Sequence, residues 1–186
     1  LEPHDSFFIG SDVFYTYMVE NDCWWEWQAQ KERIDAPKDD AALRQRILHG
    51  TFPQYIVQRF SDLLSYYGDS PVIIRSSSLL EDSYGNAFSG KYDSVFAVNQ
   101  GSASQRLSDF MEAIRHIYAG AISADALEYR KRRGVLDKDE QMVILVQRVS
   151  GKRQGPFFFP HLAGVGYSFN PFRWSTDIDP NAGVLR

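Results

Sequence analysis

The sequence predicts an α+β domain in which a mixed sheet is flanked by helices. Two stripes of apolar residues at helical spacing, Ile56 to Tyr67 and Leu107 to Ile122, argue for long amphipathic helices. Three short β-like runs, "PVIIR", "YDSVFAV" and "QMVILVQRV", supply the strands. Pro, Gly, Asp and Ser fall between these segments and mark the turns.

Taken in order, "HDSFFIGSDVFYTYMVEND" predicts a short strand and then a helix, with Ser11-Asp12 as the N-cap ahead of Val13, Phe14, Tyr17 and Met18. "DCWWEWQAQKERIDAPKDD" reads as a polar bridge whose Trp24, Trp25 and Trp27 either cover a core edge or stack on a ligand. From Asp39 a helical stripe of Leu43, Ile47 and Leu48 runs to Gly50 and Pro53, where a backbone donor is lost. The next helix carries Ile56, Val57, Phe60, Leu63, Leu64 and Tyr67 and closes at Gly68-Asp69. "PVIIR" follows as a buried strand ending in polar "SSS", and the ends of such strands are where α/β sites deliver function.

"YDSVFAV" alternates as a half-buried strand does. Gly101-Ser102 opens a long helix whose Leu107, Phe110, Met111, Ile114, Ile117, Tyr118, Ala121 and Ile122 make a core-facing stripe. "SADALEYRKRRG" predicts a helix ending at Gly134, where the basic run suits the C-terminal dipole and Lys131-Arg132-Arg133 form a solvated face. "QMVILVQRV" is the strongest strand pattern. A loop, "SGKRQG", an apolar stretch, "PFFFPHLAGVGYSF", and a last β-like run, "GVLR", complete the chain.

Composition narrows the function classes. At 186 residues, 44% hydrophobic, 24% charged and a net charge of -4, the chain has the make-up of an ordinary, slightly acidic globular protein. No field is built for nucleic acid, so no polyanion partner is expected. Cys23 is the sole cysteine, which precludes an internal disulfide and points to a reducing compartment, the cytoplasm. No apolar run approaches the roughly 20 residues that span a bilayer, and the first residues lack a signal-peptide pattern. Neither a membrane nor export is expected.

Gly85 to Lys91 reads G-x-x-x-x-G-K, one residue short of a Walker phosphate loop. Lys91 is followed by Tyr92 rather than Ser or Thr, and then by a β-like run instead of the helix whose amides would cradle phosphate. The Walker reading is therefore rejected. Arg75, at the end of an apolar strand and followed by three serines, is a better phosphate ligand, because a guanidinium on a rigid strand offers forked hydrogen bonds. Pairing of Arg75 with Glu81 or Asp82 to close the loop is the equal alternative. Gly85, Ser89 and Gly90 permit close backbone approach, as in a ligand lid or a tight hairpin.

Other chemistry is thinly represented. His4, His49, His116 and His161 are scattered outside any zinc-site spacing, with His116 beside the apolar stripe of the long helix. There is no G-x-S-x-G elbow, and Cys23 has no activating context.

The ordered series "VIIRSSSLLED", "AFSGKYDSVFAVN", "AISADALEYRKRRG" and "MVILVQRV" resembles the nucleotide-binding domain of the phosphoenolpyruvate synthase and pyruvate phosphate dikinase family. "SFFIGSDVFYTYM" is similar to the family segment after its first glycine loop, and the resemblance covers about residues 7 to 168. It implies an ATP-grasp-like fold and an ATP-dependent phosphotransferase using Mg2+, acting through a histidine in a further domain, toward pyruvate. On that resemblance Arg75 is the catalytic phosphate ligand. Ser76, Gly90, Ser94 and Val95 belong to the nucleotide site, and the backbone around Gln147, Arg148 and Val149 reads the adenine edge.

The resemblance also implies what lies elsewhere. No metal ligand is assigned within these residues; Glu81 and Asp82 are read as loop-ordering partners. The family's G-G-K-x-A-x-L loop, its later acidic residue and glutamine, and its T-S-H phosphohistidine are not in the sequence. The residues are thus expected to be a partial ATP-grasp-like domain of a multidomain protein, inactive alone, with downstream phosphohistidine and phosphoenolpyruvate/pyruvate domains as partners. Its expected parts are a helical lead-in over about 1–70, a nucleotide-binding core over 71–150 and the start of a second sheet region over 151–186. Family departures are Ser78 where alanine is common, "SYGNA" for "LPDAS", and Asn170-Pro171 for Asp-Pro. A regulatory ATP-binding module, or a dikinase with a glucan or antibiotic acceptor, is the alternative.

Overall fold

The computed structural model describes residues 5–32, 41–78, 92–135 and 141–186, with side chains omitted at 30–32. They divide into two compact units, Leu1–Val149 and Ser150–Arg186.

In the first unit a strand β1 (Ser6–Ile9) leads into helices α1 (Ser11–Glu20), α2 (Trp24–Glu32), α3 (Ala41–His49) and α4 (Gln54–Tyr67). Strands β2 (Val72–Ser78) and β3 (Ser94–Ala97), helices α5 (Ala103–Gly120) and α6 (Ala124–Arg132), and strand β4 (Met142–Arg148) follow. The sheet order is β1-β4-β2-β3, so the last strand inserts between the first and second. Every pairing among the described residues is antiparallel, which corrects the expected mixed sheet to an antiparallel one. Helices α1 to α4 separate β1 from β2, and α5 and α6 separate β3 from β4.

Burial along β2 and β4 alternates, with Val72, Ile74, Ser78, Met142, Ile144 and Val146 buried on one face. Helix α5 lies against β2 and β3 on that side, and α1 against β4. The strand does end in the polar "SSS": all three serines belong to β2, and Ser78 enters the core face.

Local signals explain the helix ends. Ser102 and Ser123 act as N-caps whose hydroxyls accept from the backbone N–H of Gln105 and Ala126, at 3.2 and 3.3 Å. At α1 the cap is Gly10, with no side-chain bond, and Ser11 is already helical, so the expected Ser11-Asp12 cap is displaced by one residue. Lys131, Arg132 and Arg133 are exposed at the end of α6, as the dipole favours.

The predicted polar bridge with three tryptophans is instead α2, whose described turn buries Trp27 fully and leaves Trp25 80% exposed. Trp27 meets Phe14 of α1 edge-on at 5.2 Å, and Phe14 in turn meets Tyr118 of α5 at 4.9 Å. Tyr17 donates its hydroxyl to the Ile47 carbonyl at 2.6 Å, tying α1 to α3. Gly50 is required beside it, because a Cβ there would sit 2.3 Å from that hydroxyl oxygen.

The turn launching β2 is held from a distance. Gly68 ends α4 at φ +65, and its carbonyl accepts from Asn99 at 3.0 Å and from Arg106. Asn99, at φ 57 and almost wholly buried, also donates to the Ser70 carbonyl at 2.8 Å. Residues just after β3 thereby fix where β2 begins.

Cys23 is buried, donates to the Asn21 carbonyl at 3.2 Å, and has its thiol pushed up from 9.0 to about 11 by burial. Its folded form is thus favoured below the ordinary thiol value, and that contribution is lost as pH rises from 9.0 through about 11. Iodoacetamide at pH 8 is expected to label Cys23 only at the rate of unfolding, and labelling of the native protein at the free-thiol rate would contradict its burial.

The second unit is a pair of small antiparallel ribbons. Strands β5 (Lys152–Gln154) and β6 (Phe157–Phe159) flank Gly155-Pro156, with Gly155 at φ +63. Strands β7 (Gly166–Tyr167) and β8 (Val184–Leu185) pair across a loop anchored by buried Asn170. Asn170 donates its N–H to the Pro180 carbonyl at 2.8 Å and accepts from Phe172 N–H through its side chain at 3.0 Å.

Candidate functional site

The open face of the four-stranded sheet, opposite its buried one, is exposed to half-buried among the described residues. Because side chains alternate along a strand, it carries Ile73, Arg75 and Ser77 from β2, and Val143, Leu145 and Gln147 from β4. The register places Phe8, Leu145, Arg75 and Ser94 in one row across the four strands. The adjacent row is Ser6, Gln147, Ile73 and Phe96. Strands lie about 4.8 Å apart and the rows about 6.6–6.8 Å apart, so Arg75 is beside Ser94 and diagonal to Gln147, with Ser94 and Gln147 on either side of β2.

Three of the seven residues singled out in the sequence therefore share one surface. Arg75 is exposed, and its guanidinium makes no ion pair or hydrogen bond with another described residue. Ser94 is its direct cross-strand partner. Gln147 donates through Nε2 to the Ser6 hydroxyl at 3.2 Å, which turns its amide toward β1. Ser76 and Val95, one residue along from Arg75 and Ser94, take the opposite face against the helices. Only their backbone is placed to meet a ligand on the open side. Gly90, with Glu81, Asp82, Gly85, Ser89 and Lys91, lies outside the described residues.

Beyond β4 the backbone donors are already committed. Arg148 N–H donates to the Asp5 carbonyl at 3.3 Å and Val149 N–H to the Pro71 carbonyl at 2.9 Å. A base edge meeting this turn would find carbonyl lone pairs rather than those two donors. The Arg148 side chain is structural: it pairs with Asp5 at 3.1 Å, donates to the Tyr67 carbonyl at 3.2 Å and to the Ser70 hydroxyl, and covers the Tyr67 ring at 5.2 Å. Burial pushes the Tyr67 hydroxyl up to about 12, with the Asp5 charge adding to the rise. That hydroxyl donates to the Val146 carbonyl at 3.0 Å.

Five apolar side chains on the open face, Ile73, Val143, Leu145, Phe96 and Phe8, were not singled out in the sequence. The signal for Phe96 is its spacing, two residues after Ser94 in an alternating strand. A separate cavity of about 560 Å³ lies between β1 and α4, lined among others by Phe8, Gly10, Asp12, Tyr55, Arg59 and Tyr66. It includes none of Arg75, Ser94 and Gln147.

Among the described residues no group of three or more His, Cys, Asp or Glu could hold a metal ion. Nor is any described helix long and apolar enough to cross a membrane.

A family model for the pyruvate phosphate dikinase AMP/ATP-binding domain matches residues 1–181. The chain belongs to this family. The match includes the open face of the first unit and most of the second, a wider span than the 7 to 168 over which the motifs were legible. Membership in the pyruvate phosphate dikinase family makes ATP binding the property to seek on the open face. No curated protein matches the chain.

Proposed function

We propose that the open face of the antiparallel sheet binds ATP, with Arg75 and Ser94 on the phosphates and Gln147 toward the base, as the donor half of a phosphotransferase. The observation that supports this reading is the row that sets Arg75 beside Ser94 on a solvent-open face, in a chain of the AMP/ATP-binding family. Phosphoryl transfer needs charge neutralisation and positioning more than covalent help from the protein. Arg75 supplies a permanent charge with two parallel donors, and a strand holds it more rigidly than a loop would. The Ser94 hydroxyl adds a donor that rotates to suit the phosphate it meets.

The finer parts of the reading extend the same logic. The fold is an ATP-grasp-like clasp, Gly90 contributes the lid's close backbone approach, and Mg2+ is held by groups other than the described ones. The phosphoryl group passes to a histidine of a further domain and on to pyruvate, in a cytoplasmic enzyme. Calorimetric titration of the full-length protein with Mg-ATP tests the site. Arg75→Ala is expected to weaken binding at least tenfold, about 1.4 kcal/mol. Unchanged affinity would remove Arg75 from the site.

A further inference from the structure

We infer that Phe96 is the stacking surface for the nucleotide base, so that it, and not the phosphate ligands, makes the site prefer a nucleotide to a bare polyphosphate. This rests on the nucleotide reading of the open face and adds a residue to it. Phe96 is 67% exposed in a strand, on the side of the sheet that carries Arg75, Ser94 and Gln147. Its ring makes no aromatic contact with another described residue.

The two rows divide the labour. Arg75 and Ser94 are adjacent in one row and offer charge and a hydroxyl, which suit phosphate and not a base. The next row runs Gln147, Ile73, Phe96: an amide at one side, a branched aliphatic in the middle and an aromatic ring at the other side. Its distance from the phosphate row, about 6.6–6.8 Å, is of the size a ribose spans between base and first phosphate. A base lying over Ile73 would present one edge to Gln147 and rest against Phe96. Apolar walls with a few fixed polar groups are the usual make-up of such pockets.

Phe8, similarly exposed, does not fit this part. It shares the phosphate row with Arg75 but stands two strands away, and it lines the β1–α4 cavity instead. Singly exposed apolar residues are ordinary on protein surfaces, so the weight falls on the register that puts Phe96 in line with Gln147 and Ile73.

The test is a comparison of two ligands, Mg-ATP and Mg-tripolyphosphate, on the full-length protein and its Phe96→Ala and Phe96→Trp variants. Phe96→Ala is expected to weaken ATP about tenfold, the usual scale for one base stacked on one ring, and to leave tripolyphosphate unchanged. Phe96→Trp is expected to keep ATP binding within a factor of about two or tighten it, because the ring is retained. Unaltered ATP affinity in Phe96→Ala, or an equal loss on both ligands, would overturn the stacking role while Arg75→Ala still reports on the phosphate site. Wild-type protein that binds neither ligand would overturn the nucleotide reading and the stacking role together. Thermal midpoints of the variants guard against a folding effect, which is expected to be small at an exposed position.

Discussion

Trp27→Ala is expected to lower the unfolding free energy by about 3–5 kcal/mol, the range for removing a buried large aromatic. Trp27 is 1% exposed and sits edge-on to Phe14, which itself packs on Tyr118, so the indole joins α2 to α1 and, through Phe14, to α5. The cavity it leaves is walled by rings that cannot collapse far, and the loss approaches a third or more of the stability of a typical domain. A midpoint lowered by roughly 6–20 °C is the expected reading in calorimetry. Trp25→Ala is the control, two residues away in the same helix and 80% exposed, with an expected change within about 0.5 kcal/mol. Equal losses for the two variants would contradict the packing described for α2.

Arg148→Ala is expected to cost about 2–3 kcal/mol, measured as a shift of the urea midpoint. The side chain ties four places together: Asp5 ahead of β1, the end of α4 at Tyr67, Ser70 before β2, and its own strand. Asp5 and Arg148 side chains retain 21% and 24% exposure, which tempers the Coulomb part of the pair through solvent screening. Most of the loss comes from carbonyl and carboxylate acceptors left without their charged donor. Arg148→Lys is expected to recover less than half, because an ammonium cannot reproduce a fork spread over Asp5, Tyr67 and Ser70. A double-mutant cycle with Asp5→Ala should show a coupling of about 0.5 kcal/mol or more. Full stability in Arg148→Lys would mean that charge alone, rather than the fork, does the holding.

The amphipathic stripes of α4 and α5 were legible because a 3.6-residue period survives in any single sequence. The β2 and β4 strands were legible as short continuous apolar runs, VII and MVILV. Sheet order was not, since the insertion of β4 between β1 and β2 is a pairing of residues far apart in the chain, with no local signal. The α2 helix was obscured by its own composition, where only Trp27, with Trp24 partly buried beside it, is turned to the core among residues that are mostly polar. Ser76 to Ser78 end the strand although a serine triplet has turn-like composition, because the ladder to Ile144, Val143 and Met142 keeps it extended.

The site divides in the same way. Arg75, Ser94 and Gln147 could be named from motif resemblance, and the register then supplied what the motifs lack, their common face. Phe96 was legible only through Ser94, two residues before it in an alternating strand, because an apolar residue in a half-buried strand otherwise reads as core. Ser76 and Val95, named from the same motifs, fall on the other side of the pleat.

The strict alternation of β2 and β4 has an evolutionary consequence. Positions 73, 75, 77, 143, 145 and 147 are exposed or half-buried, while 72, 74, 78, 142, 144 and 146 are buried. Ligand preference can therefore drift along one side of a ribbon whose other side stays constant. Insertions or deletions have no such freedom: a one-residue slip of β3 against β2 would exchange Ser94 and Phe96 for Val95 and Ala97 in a single step. New specificities on this scaffold should arise by substitution within the rows rather than by a change in the length of its strands.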